Sequence, residues 1–93
     1  MPSTYDTAVD IIAETCEIPR DEIAPDSHLI DDLGLDSLEL AELAFAVDRA
    51  FGVTLPIERW KQDVDERGVA AEDYVVLKNL CDSIDRLVAA KQS

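Results

Sequence analysis

The residue best placed for chemistry is Ser37, which stands among closely spaced carboxylates in the segment DDLGLDSLEL, residues 31–40. A serine can act as a nucleophile, shape the start of a helix, or be modified by another enzyme. Nucleophilic catalysis requires a base, but no sequence spacing ties the only histidine, His28, to Ser37. The segment also lacks the second glycine of a G-x-S-x-G elbow. We therefore predict a structural or modified serine and no enzymatic activity of the chain itself.

The position of Ser37 favours modification by a phosphate-containing group. We predict that a helix begins at Ser37, with Asp36 as the N-cap and Glu39 three residues later, as in a capping box. Ser37 then lies on the exposed first residue, where free N–H groups and the positive end of the helix dipole favour a phosphate ester. The surrounding carboxylates oppose a free anion, but they suit a modifying enzyme that brings a divalent cation or a basic surface.

The charge of the chain limits its partners. The 93 residues include 21 acidic and 8 basic residues, a net charge of −13, and no Lys or Arg lies from Asp21 to Asp48. Such a protein repels nucleic acid and anionic membranes and attracts basic patches on other proteins. Asp31 and Asp32 lack the spacing of an EF-hand loop, so we expect no metal site.

Length and composition indicate one small domain, residues 1–93. No apolar run reaches the ~18 residues of a membrane span, and no secretion signal is apparent at the N-terminus. Cys16 and Cys81 lack metal-ligand spacing, which is typical of reduced core cysteines. We expect a cytoplasmic monomer without stable membrane insertion.

Helical periodicity dominates the first part of the chain, and no alternating strand pattern is present. Apolar residues at helical spacing predict a first helix that ends near Glu17, with Ser3 or Thr4 as its N-cap. Prolines and a glycine predict a long ordered loop over residues 18–36. The apolar residues expected to hold this loop to the core are Ile23, Leu29, Ile30, Leu33 and Leu35.

The remaining helices follow from similar signals. A second helix is predicted over residues 37–51, where Gly52 ends it, and Pro56 opens a short third helix. Apolar residues at i, i+3, i+4 and i+7 predict a final helix over residues 72–90. We expect an all-α bundle of three principal helices and one short helix, with the long loop between helices 1 and 2.

The second helix carries more apolar residues than one buried face requires. The residues assigned to the core by spacing are Leu43, Val47, Ala50 and Phe51. Leu38 and Phe45 alternate with Glu42 and Asp48, which predicts an exposed surface where carboxylates attract a basic partner and apolar groups hold it. Burial of Phe45 is the alternative.

The segment DDLGLDSLEL resembles the attachment motif of acyl carrier proteins, in which D-S-L follows a short acidic loop that contains glycine. The resemblance covers nearly the whole chain, including FGVTLP after the second helix. It implies that Ser37 carries 4′-phosphopantetheine and that Asp36 helps to engage the phosphopantetheinyl transferase. The residues that the resemblance places on the partner-binding face are Leu38, Glu39, Glu42, Phe45 and Asp48.

Three segments, DIIAETCEI, AVDRAFGVTLPIERW and EDYVVLKNLCDSID, are similar to the specialised acyl carrier proteins of rhizobia and relatives. That group carries a very-long-chain hydroxylated fatty acid for lipid A and has extra residues before its final helix, as this chain has over residues 57–74. The resemblance implies ketoacyl synthases, a dehydratase and a lipid A acyltransferase as partners. Arg49 replaces an acidic residue of many housekeeping carriers, which predicts weaker recognition by ordinary fatty-acid synthase enzymes.

Small side chains along the second helix would let an acyl chain enter between helices, although close helix packing also explains them. The candidate acyl-contact residues are Leu40, Ala41, Leu43, Val47, Trp60 and Leu77. A tryptophan such as Trp60 more often anchors a core than contacts a ligand. Two other functions remain open: a carrier for polyketide or peptide assembly, and an unmodified acidic adaptor that binds basic proteins independently of Ser37.

Overall fold

The computed structural model of the protein describes residues 3–92, the last by its backbone alone. Its helices are α1 (Thr4–Cys16), α2 (Ser37–Phe51), α3 (Ile57–Arg67), α4 (Glu72–Val75) and α5 (Leu77–Gln92). A 3₁₀ turn, Arg20–Glu22, lies in the long loop between α1 and α2. The described residues form no β-strand, so the predicted all-α class is confirmed. With 11 residues, α3 is longer than the short helix that the sequence predicts.

A capping box starts α1. The Ser3 hydroxyl oxygen accepts a hydrogen bond from the Asp6 N–H at 3.1 Å, and the Asp6 carboxylate accepts one from the Ser3 N–H at 3.4 Å. The helix ends where Glu17 adopts a left-handed conformation, with φ of 55°. The predicted limits of α1 are therefore confirmed, and Ser3 is the N-cap.

The final helix is not continuous, contrary to the prediction from its apolar period. Val76 is extended, with φ of −78° and ψ of 131°, and separates α4 from α5. Three backbone hydrogen bonds of 2.8–2.9 Å connect the long loop to this break: Leu29 N–H to Val75 O, Leu77 N–H to Ser27 O, and Lys78 N–H to Pro25 O. Because the loop takes part in the hydrogen bonding of residues 75–78, the helix is interrupted there.

The core forms where α1, α2 and α5 meet, and the long loop closes one side. The buried apolar residues are Ala8, Val9, Ile12, Ile23, Leu29, Leu35, Leu43, Val47, Val53, Leu55, Leu77, Leu80, Cys81 and Ile84. Phe51 and Leu33 are partly buried against this core. No described helix is long and apolar enough to cross a membrane.

Two predicted core residues lie outside the core. Ile30 is 43% exposed, because its neighbour Leu29 takes the inward position in the loop. Ala50 lies in the last turn of α2 and is exposed. Its helical spacing places it on the side of Leu43, but burial also requires an element packed across from it.

The two cysteines are free thiols, and Cys81 is the more buried. Burial, together with the nearby carboxylates of Asp85 and Asp82, raises the pKa of Cys81 to about 11. Burial also raises the pKa of the partly exposed Cys16. At about pH 8, roughly one Cys81 in a thousand is therefore a thiolate.

We expect Cys81 of the native protein to react with a chromogenic disulfide reagent far more slowly than Cys16, because the reagent needs an accessible thiolate. Between about pH 8 and pH 10 the Cys81 rate should rise about tenfold per pH unit. The measurement is the release of the coloured thiol from the reagent over time, and Cys16→Ser is the variant in which Cys81 alone reacts. Rapid reaction of that variant at about pH 8 would contradict the burial of Cys81.

Candidate functional site

The start of α2 presents Ser37 to solvent. Asp36 is extended, and its Oδ1 accepts a hydrogen bond from the Glu39 N–H at 2.8 Å, which confirms the predicted N-cap. Ser37 is the first helical residue and is exposed. Within residues 3–92, the hydroxyl of Ser37 takes part in none of the side-chain hydrogen bonds. Its oxygen is therefore accessible to a modifying enzyme.

The loop before Ser37 is shaped by the side chain of His28. The His28 Nδ1 accepts hydrogen bonds from the N–H groups of Ile30 at 3.2 Å and Asp31 at 3.0 Å. The Asp32 carboxylate accepts a hydrogen bond from the His28 N–H at 2.8 Å. The His28 ring and the Asp32 carboxylate together stabilise a local turn. No hydrogen bond or ion pair joins His28 to Ser37 in the described residues.

No group of three or more His, Cys, Asp or Glu side chains that could hold a metal ion forms within the part of the chain that the structure describes. Asp31 and Asp32 instead contact His28: the Asp31 Oδ2 lies 3.6 Å from the His28 Nε2, and Asp32 accepts the backbone bond described above. The acidic loop is therefore organised by a histidine.

The outer face of α2 combines exposed apolar and acidic side chains. Leu38 and Phe45 are each 68% exposed and lie seven positions apart, about two helical turns, on one side of α2. Glu42 and Asp48 are exposed, and Glu39 is partly buried. The alternative in which Phe45 is buried is therefore wrong. We call these five residues the acidic α2 face.

The carboxylates at this end of α2 also act on the end of α1. The pKa of Cys16 is raised first by burial and then by the negative charges of Glu39, Glu42 and Asp36. The carboxylates at the start of α2 therefore lie close enough to the last residue of α1 to add to the rise in the pKa of Cys16.

An apolar cavity of about 200 Å³ lies between α2, α3 and the chain around α4. Of the predicted acyl-contact residues, Leu40, Leu43 and Trp60 line it. Ala41, Val47 and Leu77 do not: Ala41 is exposed on the outer side of α2, and the other two are fully buried in the core. Each step along a helix turns by about 100°, so Ala41 faces away from Leu40.

The structure adds lining residues that the sequence reasoning did not assign to an acyl site. Ile57 and Val64 share the cavity side of α3 with Trp60, as their helical spacing indicates. Tyr74 lines the cavity from α4, and Leu29 and Ile30 line it from the long loop. The loop and α4 residues carry no local sequence signal of this role, since only the tertiary arrangement brings them to α2.

Tyr74 is the partner of Trp60. Their rings stack with centroids 4.9 Å apart and planes inclined by 9°. The Tyr74 hydroxyl donates a hydrogen bond of 3.0 Å to the Asp63 Oδ2, and this bond is the main reason why the pKa of Tyr74 is raised. Asp63 also lies 3.5 Å from the Arg67 Nη1. These contacts connect α3 to α4 at the edge of the cavity.

The family model of the phosphopantetheine attachment site matches residues 6–60, which include most of α1, the long loop, α2 and the start of α3. A protein named acyl carrier protein AcpXL from Brucella melitensis is 59% identical over 92 residues, 99% of each chain. Its namesake from Rhizobium etli is 55% identical over 91 residues, 98% of this chain and 99% of that protein. An acyl carrier protein of Syntrophobacter fumaroxidans is 44% identical over 50 residues, 54% of this chain and 62% of that protein.

Both kinds of similarity point in the same direction. The family model covers more than half of the chain, and the relatives from Brucella and Rhizobium cover nearly all of it. Proteins of this kind are substrates of a phosphopantetheinyl transferase and present acyl groups to other enzymes. The chain therefore belongs to the acyl carrier protein family, in its specialised rhizobial type, and is a non-catalytic carrier whose covalent cofactor is phosphopantetheine.

Proposed function

We propose that Ser37 is the residue that carries 4′-phosphopantetheine and that residues 1–93 act as one carrier domain. The observation that supports this most directly is the exposure of Ser37 on the first residue of α2, inside the matched attachment-site region. When bound, the cofactor supplies a terminal thiol that holds acyl groups as thioesters. The chain supplies the attachment point, the surface that partners bind and a cavity for cargo.

The local chemistry at Ser37 fits a phosphate ester. Ser37 and Leu38 are the first two residues of α2, so their N–H groups have no intrahelical partner, while the Asp36 carboxylate accepts a hydrogen bond from the Glu39 N–H. Two donors at a helix start favour the oxygens of a phosphate group. Asp36, which is exposed beside Ser37, is our candidate for recognition by the transferase.

The acidic α2 face is our candidate for the surface that partner enzymes bind. Its carboxylates attract a basic surface from a distance, which raises the rate of encounter. Leu38 and Phe45 then supply apolar area that is buried only in the complex. The proposed partners are a phosphopantetheinyl transferase, ketoacyl synthases, a dehydratase and a lipid A acyltransferase, and Arg49 next to this face would weaken recognition by ordinary fatty-acid synthase enzymes.

As cargo we propose very-long-chain hydroxylated fatty acids for lipid A. Support comes from the full-length similarity to the Brucella and Rhizobium proteins and from residues 57–74, which include all of α3 and most of α4 beside the cavity. A very long acyl chain, when extended, is longer than α2, which measures ~22 Å. Part of the chain would therefore lie on the surface near Leu40, Trp60 and α5. We further propose that the carrier is a cytoplasmic monomer.

Incubation with coenzyme A, magnesium and a phosphopantetheinyl transferase should add the mass of one phosphopantetheine to the wild-type protein. Ser37→Ala should gain nothing, because the attachment oxygen is lost. Ser83→Ala on α5 is the matched control and should be loaded like the wild type. Intact-protein mass spectrometry measures all three.

Addition to Ser37→Ala would refute the assignment of this residue. No addition to the wild type with several active transferases would favour the unmodified acidic adaptor. If loading succeeds, the acyl groups recovered from the protein in cells distinguish lipid A cargo from polyketide or peptide intermediates.

Phe45→Ala should lower kcat/KM for transfer from the loaded carrier about tenfold, as expected for a central apolar contact. Glu42→Lys should lower kcat/KM mainly at low salt, because the charge of Glu42 raises the rate at which the carrier and its partner enzyme meet. Glu66→Lys, the same change on the exposed side of α3, is the control and should have little effect. The assay uses the loaded protein and its acyltransferase, and equal effects at Glu42 and Glu66 would show that only total charge matters.

A further inference from the structure

Of the walls of the apolar cavity, α3 is the least firmly attached. Three other walls include buried core residues, namely Leu43 of α2, Leu80 of α5 and Leu29 of the loop. The short α4 contains none, but its last residue, Val75, is bonded to the long loop through the Leu29 N–H. By contrast, α3 contains no buried residue, although three of its apolar side chains face the cavity. A segment with little buried area opens at lower cost than the core helices. If an acyl chain is to enter the cavity, or if the cavity is to widen around it, α3 is the wall that moves.

The ends of α3 suit such a movement. Pro56 precedes it without a side-chain hydrogen bond to the first turn, and Gly68 ends it with φ of 70°. A glycine with positive φ carries no Cβ penalty, and a Cβ added to Gly68 would meet no atom within 4 Å. The first turn of α3 therefore has no side-chain cap, although Ile57 packs against the core, and the Gly68 end has open space around it.

Three residues connect α3 to a fixed part of the fold, and we call them the α3 latch: Trp60, Asp63 and Tyr74. Trp60 and Tyr74 stack, and the Tyr74 hydroxyl bonds to Asp63 one turn along α3. Tyr74 lies in α4, where the Leu29 N–H bonds to the adjacent Val75 O. The latch thus joins the loosely attached helix to a segment that the long loop holds in place.

We propose that the α3 latch controls access of an acyl chain to the cavity, with Tyr74 as the positioning residue that holds α3 closed. This inference rests on the proposed carrier function, since it assigns the gate of the same cavity. In the closed state the stack and the hydrogen bond hold α3 against α4. Entry of cargo requires molecules in which both contacts are broken, and such molecules are a small part of the population. The apparent affinity for cargo is therefore lower when fewer molecules are in this open state.

The test separates this gate from a merely structural role. Tyr74→Phe removes the hydroxyl and keeps the ring that stacks on Trp60. Asp63 retains Arg67 nearby, so no carboxylate is left buried without a partner. Loss of one hydrogen bond should raise the open population about fivefold. A structural defect would weaken ligand binding, whereas release of a latch strengthens it.

The experiment uses the purified protein without phosphopantetheine and the neutral apolar dye N-phenyl-naphthylamine, so that neither Ser37 loading nor charge affects binding. For Tyr74→Phe we expect α3 amides to exchange hydrogen about fivefold faster and the dye to bind about fivefold more tightly, with α1 amides unchanged. Tyr5→Phe on α1, which does not line the cavity, is the matched control and should change neither quantity. Asp63→Asn keeps an acceptor oxygen and should stay within about twofold of the wild type.

Unchanged α3 exchange in Tyr74→Phe would overturn the proposal, as would equal acceleration in every helix. Faster α3 exchange with unchanged or weaker dye binding would also overturn it, because opening would then be unrelated to the cavity. Tyr74→Phe should still gain phosphopantetheine, so failure of the latch and failure of Ser37 as the attachment site give different results.

Discussion

Backbone hydrogen bonds join the long loop between α1 and α2 to the break between α4 and α5 at Val76. They connect the N-terminal and C-terminal parts of this small bundle. They satisfy the N–H groups of Leu77 and Lys78 at the start of α5 and the carbonyl of Val75 at the end of α4. Unpaired backbone groups at such a junction would cost more than the bonds themselves contribute. The same pairing sets Leu29 into the core, brings Tyr74 to the cavity and anchors the loop that leads to Ser37.

The distribution of charge favours recognition over stability. Of the eight basic residues, only Arg20 precedes residue 49, and it pairs with Asp10 on α1. The carboxylates of α2 therefore repel one another with Arg49 in the last turn as the one cation of that helix, although exposure to water and salt weakens the repulsion. A surface of this kind contributes little to folding, but it is available to a basic partner from a distance.

A carrier also has to combine a stable core with a cavity that can change size. Here the tightly packed part consists of α1, α2 and α5, and the variable part is limited to α3 and its contacts with α4. Low burial in α3 lets it move without loss of the core, because the cost of local opening depends on the area exposed. In a domain of 93 residues, a larger permanent cavity would reduce an already small core.

The sequence by itself determined the features that depend on neighbouring residues. The Asp36 cap, the α2 limits set by Ser37 and Gly52, and the exposure of Leu38 follow from capping chemistry and helical period, and the D-S-L motif indicates the family. For Phe45 the sequence left burial open, and the structure decided in favour of exposure.

Only the tertiary structure decided which segments far apart in the chain meet. The break at Val76, the outward position of Ile30 and the pairing of Trp60 with Tyr74 each depend on the long loop, α3 and α4 coming together. A helical period cannot predict these features, because it records which face of a helix is apolar and not which element covers that face.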